Sequence, residues 1–431
     1  MKRYCSLALA AALLLSCSAS TQAAAVRPSP STTPTSIAGA VESAWLGASP
    51  TISLDGVRPT PLGPLAGDKA LVVRHGNENG NAVREIVVVD LAGGPARVAL
   101  HYDYRRMATE LVYAEAGPIS LARQLSRDGK RIVLDDVNLR SNAATPNDPG
   151  QPLLIADLET GKLRVLAIPG AASDLVNPAW APGGDSIAFA RRSLGAARLE
   201  DDGVWIVGTD GSGLRRLTDG DRGGYSYVFG WTADGTSVAY GVGGLGLDHL
   251  DYRMVDVSTK ATKKLDGYVE SIAPGEWRTG TPAFAGAFTD EPQNIGGGHF
   301  GGVTRVVVAD AAGANPRTVF TQPVDSYGRP RLLNVRWHPF TDKLLVEVLD
   351  PGQNSARIID LTSGTVTATG RGRATGIDWA PNGSDLVCLV SSPPTAPISV
   401  TIGPVGSACQ RELLAGTFDW IVLDLTTKRY S

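Results

Sequence analysis

The stretch WTADGTSVAY, Trp231 to Tyr240, joins an aromatic residue and a tight polar turn to an alternating apolar run. Upstream, WAPGGDSIAF (Trp180 to Phe189) repeats it almost position for position. LSRDGKRIVL from Leu125, WHPFTDKLLV from Trp337 and WAPNGSDLVC from Trp379 carry the same phrase. The copies recur about every 50 residues, a period of stacked or radial repeat architectures. The interval from Trp231 to Trp337 is double, which calls for a degenerate copy between them, and PAFAGAF places Phe284 in its aromatic slot. PLAGDKALVV (Pro64 to Val73) supplies the turn and strand without the aromatic and completes a set of seven.

A second phrase follows each copy. EIVVVDLAGG (Glu85 to Gly94), LLIADLETGK (Leu153 to Lys162), VWIVGTDGSG (Val204 to Gly213) and ARIIDLTSG (Ala356 to Gly364) are examples, and WIVLDLTTK (Trp420 to Lys428) ends the series. Alternating β-branched residues running into Asp and Gly are strand and hairpin signals. A strand-built repeat of this length is a propeller blade, a small four-stranded antiparallel sheet. Because only the neighbouring blade can cover its faces, the phrase has to recur. The expected architecture is therefore all-β: one β-propeller over residues 41–431, with seven blades, or six as the alternative. Trp180, Trp231, Trp337 and Trp379 are expected to open the second strand of their blades and wedge between sheets. Removing such a ring costs about 3–5 kcal/mol. Closure of the ring requires the chain ends to share a blade, so Pro50 to Gly56, or residues nearby, should pair with Trp420 to Tyr430.

The phrase W-(S/A/T)-P-(D/G/N)-G-x-x-(I/V)-A-(F/Y), with the strand and DGSGLRRLT (Asp210 to Thr218) that follow it, resembles the TolB-type, WD-like β-propeller repeat family. The likeness runs over residues 60–431. It departs from the family pattern at residues 271–302 and where Pro393 to Leu414 interrupts the last copy. The resemblance implies an exported ring associated with the cell envelope, acting in translocation or the assembly of complexes.

The N-terminus agrees with export. Lys2 and Arg3 precede SLALAAALLL (Ser6 to Leu15), an apolar run too short to span a bilayer. LLSC ending at Cys17 suits a lipobox whose cysteine anchors a lipoprotein, and AAA (Ala23 to Ala25) suits an ordinary signal peptidase and a free secreted or periplasmic product. Residues 1–25 are read as the signal peptide and 26–40 as a Pro/Ser/Thr-rich tether. The remaining Cys388 and Cys409 suit a disulfide in an oxidising compartment, with two buried thiols as the alternative.

The net charge of −3 gives no basic surplus for nucleic acid. There is no G-x-S-x-G elbow and no S-x-x-K pair. The 5 histidines (His75, His101, His249, His299 and His338) have no metal-ligand spacing. The acidic stretches Leu199 to Gly203, Asp219 to Gly224 and His249 to Arg253 read as solvated turns, with Ca²⁺ loops as the alternative. No cofactor, metal or catalytic residue is expected, and the expected state is a monomer. Partner contact is assigned to the aromatic insert HYDYRRMATELVYAEAG through Tyr102, Tyr104, Arg105 and Arg106, and to His299 in the Gly-rich segment 296–302. The functional expectation is an exported binding or scaffold protein that recognises a protein, peptide or polymer on a loop-lined face. The alternative is a carbohydrate-active lyase or hydrolase working in the axial channel.

Overall fold

A computed structural model describes residues 41–45, 52–54, 56–104, 121–137, 140–141, 152–167, 173–193, 202–220, 225–243, 250–265, 276–277, 283–289, 293–296, 299–310, 314–324, 332–350, 353–369, 374–390, 398–407, 409–415 and 420–431. All belong to one compact unit, Gly39–Ser431. The signal peptide, the tether, Cys17, Arg105 and Arg106 lie outside the described residues.

Seven blades form the ring, six of them four-stranded sheets and blade 1 a five-stranded one whose outermost strand is Val57–Pro59. Blade 3 shows the plan: Ser173–Trp180 is the inner strand, followed outward by Ser186–Ser193, Gly203–Gly208 and Arg215–Arg216, all antiparallel. Blade 4 starts at Tyr225–Trp231, blade 5 at Glu276–Trp277, blade 6 at Leu332–Trp337 and blade 7 at Ala374–Trp379. Blade 1 contains Gly67–Glu78, Asn81–Asp90 and Arg97–Asp103, and blade 2 contains Arg131–Leu134, Leu153–Asp157 and Leu163–Ala167. The fourth strand of blade 2, Val41–Trp45, lies on its outer edge and runs parallel to Leu163–Ala167.

Hydrophobic burial follows the period-2 alternation of the second strands. In blade 3, Ile187 and Phe189 pack on blade 2, whereas Ala188 and Ala190 pack on blade 4. Blade 4 repeats this with Val238 and Tyr240 on one side and Ala239 on the other. Blade 5 does so with Phe284 against Ala285 and Ala287. In these three blades large residues face the preceding blade and small ones the following blade, which fits tapered sheets around an axis. Seven core clusters result, each shared by two consecutive blades, including one between blades 7 and 1.

The register corrects two expectations. Each Trp closes the inner strand instead of opening the second, and it pairs with the residue seven positions on: Trp180 with Ile187, Trp231 with Val238, Trp337 with Leu344 and Trp379 with Leu386. In blade 5 that place belongs to Trp277, whose partner is Phe284. Phe284 is therefore a second-strand residue, and the aromatic signature sits earlier in the chain. The wedging itself is direct: the Trp231 indole N–H of blade 4 donates to the Ala179 carbonyl of blade 3 at 3.0 Å.

The polar turns after Trp180, Trp231 and Trp379 are each set by a glycine. Gly184, Gly235 and Gly383 have φ of +76°, +72° and +72°, a region that an L side chain enters at a cost of about 1–2 kcal/mol. Asp234 accepts from the Thr232 hydroxyl at 2.7 Å and the Thr236 N–H at 3.0 Å, so the turn satisfies its own polar groups. Gly235→Ala should lower stability by about 1–2 kcal/mol. Urea unfolding checks this, and an unchanged midpoint would show that the turn does not hold its geometry in solution.

Closure is made by the C-terminal strand, Trp420–Tyr430, which forms the inner strand of blade 1. It pairs antiparallel with Gly67–Glu78, from Trp420 opposite Gly76 to Tyr430 opposite Gly67. The expected partner segment does something else: Ile52 and Ser53 pair with Ser141 and Arg140. Those two residues are too short a strand to complete a blade. Gly67–Glu78, which already carries the first copy of the repeat, offers a full edge.

Candidate functional site

Antiparallel order puts the two ends of the ring to different uses. Turns from inner to second strand are five residues long in blades 3, 4, 6 and 7, at 181–185, 232–236, 338–342 and 380–384. Turns from third to outer strand are five or six residues long. The other end carries connections of very unequal length, from the two residues 79–80 to the segments 104–120, 135–152 and 290–302. This loop face is where the sequence departs most from the repeat.

Beneath it, next to the axis, blade 2 breaks the plan. Its inner-strand position is taken by a single helical turn, α1 (Leu121–Gln124), closed by the Leu125 N–H donating to the Leu121 carbonyl at 2.9 Å. Leu121 and Leu125 lie one turn apart and sink together into the core between blades 1 and 2. The polar residues between them turn the other way: Arg123 donates to the Val228 carbonyl of blade 4 at 2.7 Å, and Gln124 donates to Asp135 at 3.4 Å.

Asp135 and Asp136 immediately follow the second strand of blade 2, and both are buried, at 8% and 4% exposure. The Arg84 guanidinium of blade 1, itself 5% exposed, donates to Asp136. The Tyr102 hydroxyl donates to the same carboxylate at 3.3 Å. Arg84 also stacks 4.1 Å above the Tyr104 ring centre. Asp135 accepts the Asn177 N–H at 2.9 Å. That N–H is presented by a bulge in the inner strand of blade 3, with Asn177 at φ +54°. Burial, and then the adjacent Asp136 charge, push the Asp135 carboxyl up to about 7. Four blades and α1 meet through these few side chains.

A second polar group lies on the same end of blade 1. His101 Nδ1 is 3.1 Å from Glu85, and its Nε2 is 2.6 Å from Arg58. Arg74 pairs with Glu85 at 2.6 Å, and Arg58 pairs with Glu78 at 2.6 Å. Burial works against the Glu85 charge, but bonds from His101 and Arg74 win and hold its carboxyl below the usual range. Arg58 and Glu78 remain solvent-exposed.

The residues picked out from the sequence are distributed as follows. Tyr102 and Tyr104 are 1% and 7% exposed and belong to the core between blades 1 and 2. Their rings serve packing and the Arg84 network, so they are not a free contact surface. His299 opens a short strand, His299–Gly301, that pairs with Gln293–Gly296 in the insert between the second and third strands of blade 5. His338 is a turn residue: its Nδ1 accepts from the Phe340 and Thr341 N–H groups at 3.0 Å, and its Nε2–H donates to Gly383 of blade 7 at 2.9 Å. Cys388 and Cys409 are joined as a disulfide within blade 7. In the acidic stretches, Asp251 pairs with Lys264 and Asp219 with Arg216. Among the described residues no group of three or more His, Cys, Asp or Glu could hold a metal ion, and no helix is long and apolar enough to cross a membrane. Asp135 and Asp136 escaped the sequence reading because they stand directly after the repeat phrase, where a polar pair reads as turn.

No family model matches the chain, and no curated protein matches its sequence. Solved structures match its fold. The β-propeller domain of the trilobed protease from Pyrococcus furiosus is 13% identical with a TM-score of 0.50, over 84% of this chain and 99% of that one. TolB from Acinetobacter baumannii is 14% identical with a TM-score of 0.40, over 82% and 81%. Oligogalacturonate lyase from Vibrio parahaemolyticus is 9% identical with a TM-score of 0.47, over 81% and 86%. The chain is a seven-bladed β-propeller, and at these identities the similarity is one of fold.

Proposed function

We propose that the protein is an exported binding or scaffold propeller of the cell envelope, which engages a protein, peptide or polymer through its loop face. The observation that supports this most is the division between the two ends of the ring. One end is spent on short turns that bond to themselves, while the other concentrates the variable connections on a rigid frame, as recognition surfaces do. The repeat resemblance to the TolB type and the export-type N-terminus point the same way.

A carbohydrate-active enzyme is the second reading, favoured by the convergence of Asp135, Asp136 and Arg84 near the axis. Against it, these groups are buried and Arg84 is bonded to Asp136.

Affinity capture from native envelope with the mature protein tests the first reading. Substitutions on the loop face (Arg58→Ala with Glu78→Ala) should reduce recovery of the captured partner. Phe340→Ala, on the short-turn end and 61% exposed, should leave recovery unchanged. Equal recovery from both variants would remove the loop-face assignment, and turnover of an envelope polysaccharide without capture would favour the enzyme.

A further inference from the structure

Among the described residues the exposed large hydrophobic side chains are Phe340, Val366 and Val405, at 61%, 41% and 38% exposure. All three lie on the short-turn end of two adjacent blades. Phe340 sits in the turn between the inner and second strands of blade 6, and Val366 begins the outer strand of that blade. Val405 opens the turn that leads to the outer strand of blade 7. Hydrogen bonds join these turns. The Leu361 N–H, just before Val366, donates to the Asp342 carbonyl at 2.8 Å, and the Val405 N–H donates to the Ser384 carbonyl at 3.1 Å. His338 ties the Phe340 turn to Gly383 of blade 7 at 2.9 Å. The Phe340 ring lies over that same glycine, where an added Cβ would stand 3.0 Å from it. Three residues after the inner-strand Trp, where blade 6 has Phe340, blades 3, 4 and 7 carry Gly183, Asp234 and Asn382. The aromatic therefore departs from the repeat without serving the core. Single exposed apolar residues are ordinary on a surface, whereas a fixed ring with apolar neighbours on one end marks a contact surface.

The path of the chain indicates what this surface meets. The first strand, Val41–Trp45, runs parallel to Leu163–Ala167, with Val41 opposite Leu163. Leu163 directly follows the short turn 158–162, so the chain enters the ring at the short-turn end. The lipobox cysteine Cys17 and the tether 26–40 precede Val41 and are joined to the end that carries Phe340. We propose that the short-turn end of blades 6 and 7 rests on a lipid bilayer, with Phe340 entering its interface and the loop face pointing away from the membrane. Phe is among the side chains that bury at the boundary of headgroups and acyl chains. An anchor and an apolar contact on one end of the ring reinforce each other, whereas on opposite ends they would compete. The proposal rests on the envelope reading and adds the orientation of the ring to it.

Cosedimentation of the mature chain, residues 26–431, with phosphatidylcholine vesicles tests the contact. The wild type should bind, and Phe340→Ser should weaken binding at least about tenfold, given what burial of one such ring contributes. An unchanged melting transition of the variant shows that the loss is not one of folding. Binding should persist at about 0.5 M salt, where exposed charges are screened. Nitroxide labels give the orientation and also serve for the chain lipidated at Cys17, which vesicles retain in any case. A label at Thr341→Cys should report lipid, and one at Asn81→Cys, on the loop end, should report water. Absence of binding, equal binding by Phe340→Ser, loss of binding in salt, or a label at position 81 in lipid would each overturn the proposal. So would a wild-type dimer that Phe340→Ser converts to a monomer without change in vesicle binding, which would give the patch to a second copy of the chain. Lipid contact at position 341 without partner capture would remove the binding reading alone; capture with that label in water would remove the membrane contact alone.

Discussion

Deletion of Trp420–Ser431 is expected to abolish the soluble fold altogether. The segment is the inner strand of blade 1, so its loss exposes the edge of Gly67–Glu78 along ten paired positions and opens the ring. Several contacts tie it to both neighbours. Lys428 bonds to the Arg127 carbonyl, and the Tyr430 hydroxyl donates to the Gly129 carbonyl at 2.8 Å, both in blade 2. The Thr427 N–H donates to Asp378 of blade 7 at 3.1 Å. Arg429 forks onto Asp68 at 2.7 and 2.9 Å, though that pair is exposed and adds little. Leu425 belongs to the core between blades 7 and 1, and Tyr430 to the core between blades 1 and 2. Removing one strand therefore damages two interfaces and leaves a bare edge, which invites aggregation. Expression of the truncated chain should yield insoluble material, or soluble material without a cooperative melting transition. A truncated protein that melts as the full chain does would mean that the ring holds without its last strand. The disulfide between Cys388 and Cys409 lies within blade 7 and cannot replace the lost closure.

The ring was legible in the sequence because a blade writes its packing into a short phrase. The spacing from each Trp to an apolar partner, as in Trp180 and Ile187, follows from one tight turn and holds wherever that turn recurs. It could also have identified Trp277, since WRTGTPAF has the same spacing. The segment looked degenerate because RTGTP (278–282) lacks the Asp and carries its Gly and Pro at other positions than the phrase does. What the repeat could not show is where local pattern gives way to distant contact. Leu121 and Leu125 are compatible with either a strand or a helical turn, and helix wins because both reach the blade 1 core from that conformation. The strand that closes blade 1 resembles a third-strand phrase, WIVLDLTTK, yet serves as an inner strand. Its role is set by the edge it meets. Asp136 has its meaning only beside Arg84, which is in a different blade.

That dependence makes Arg84→Met the most damaging point substitution expected here. The side chain is buried, and its removal leaves Asp136 enclosed without its guanidinium, with Asp135 alongside. Breaking a buried pair from one side costs about 3–5 kcal/mol, because the surviving charge keeps its desolvation penalty. The loss of stacking on Tyr104 adds to this. Arg84→Met combined with Asp136→Leu removes both charges, and should recover most of the loss despite being the more drastic change. The pH dependence supplies an independent sign. Burial and Asp136 raise Asp135 to about 7 in the folded protein, whereas an unfolded aspartate titrates near ~3.9. The native state thus binds the extra proton between those values, and the stability this contributes is complete at low pH and declines as pH rises through about 7. Arg84 opposes that shift, so its loss should carry the decline to higher pH, and the double substitution should bring it back down by removing the charge next door. Denaturant unfolding of the wild type, the single variant and the double variant at several pH values measures all three effects. A single variant within about 1 kcal/mol of wild type, close to what an exposed pair contributes, would show that the Arg84–Asp136 pair is solvated and that the axial junction is held by packing alone.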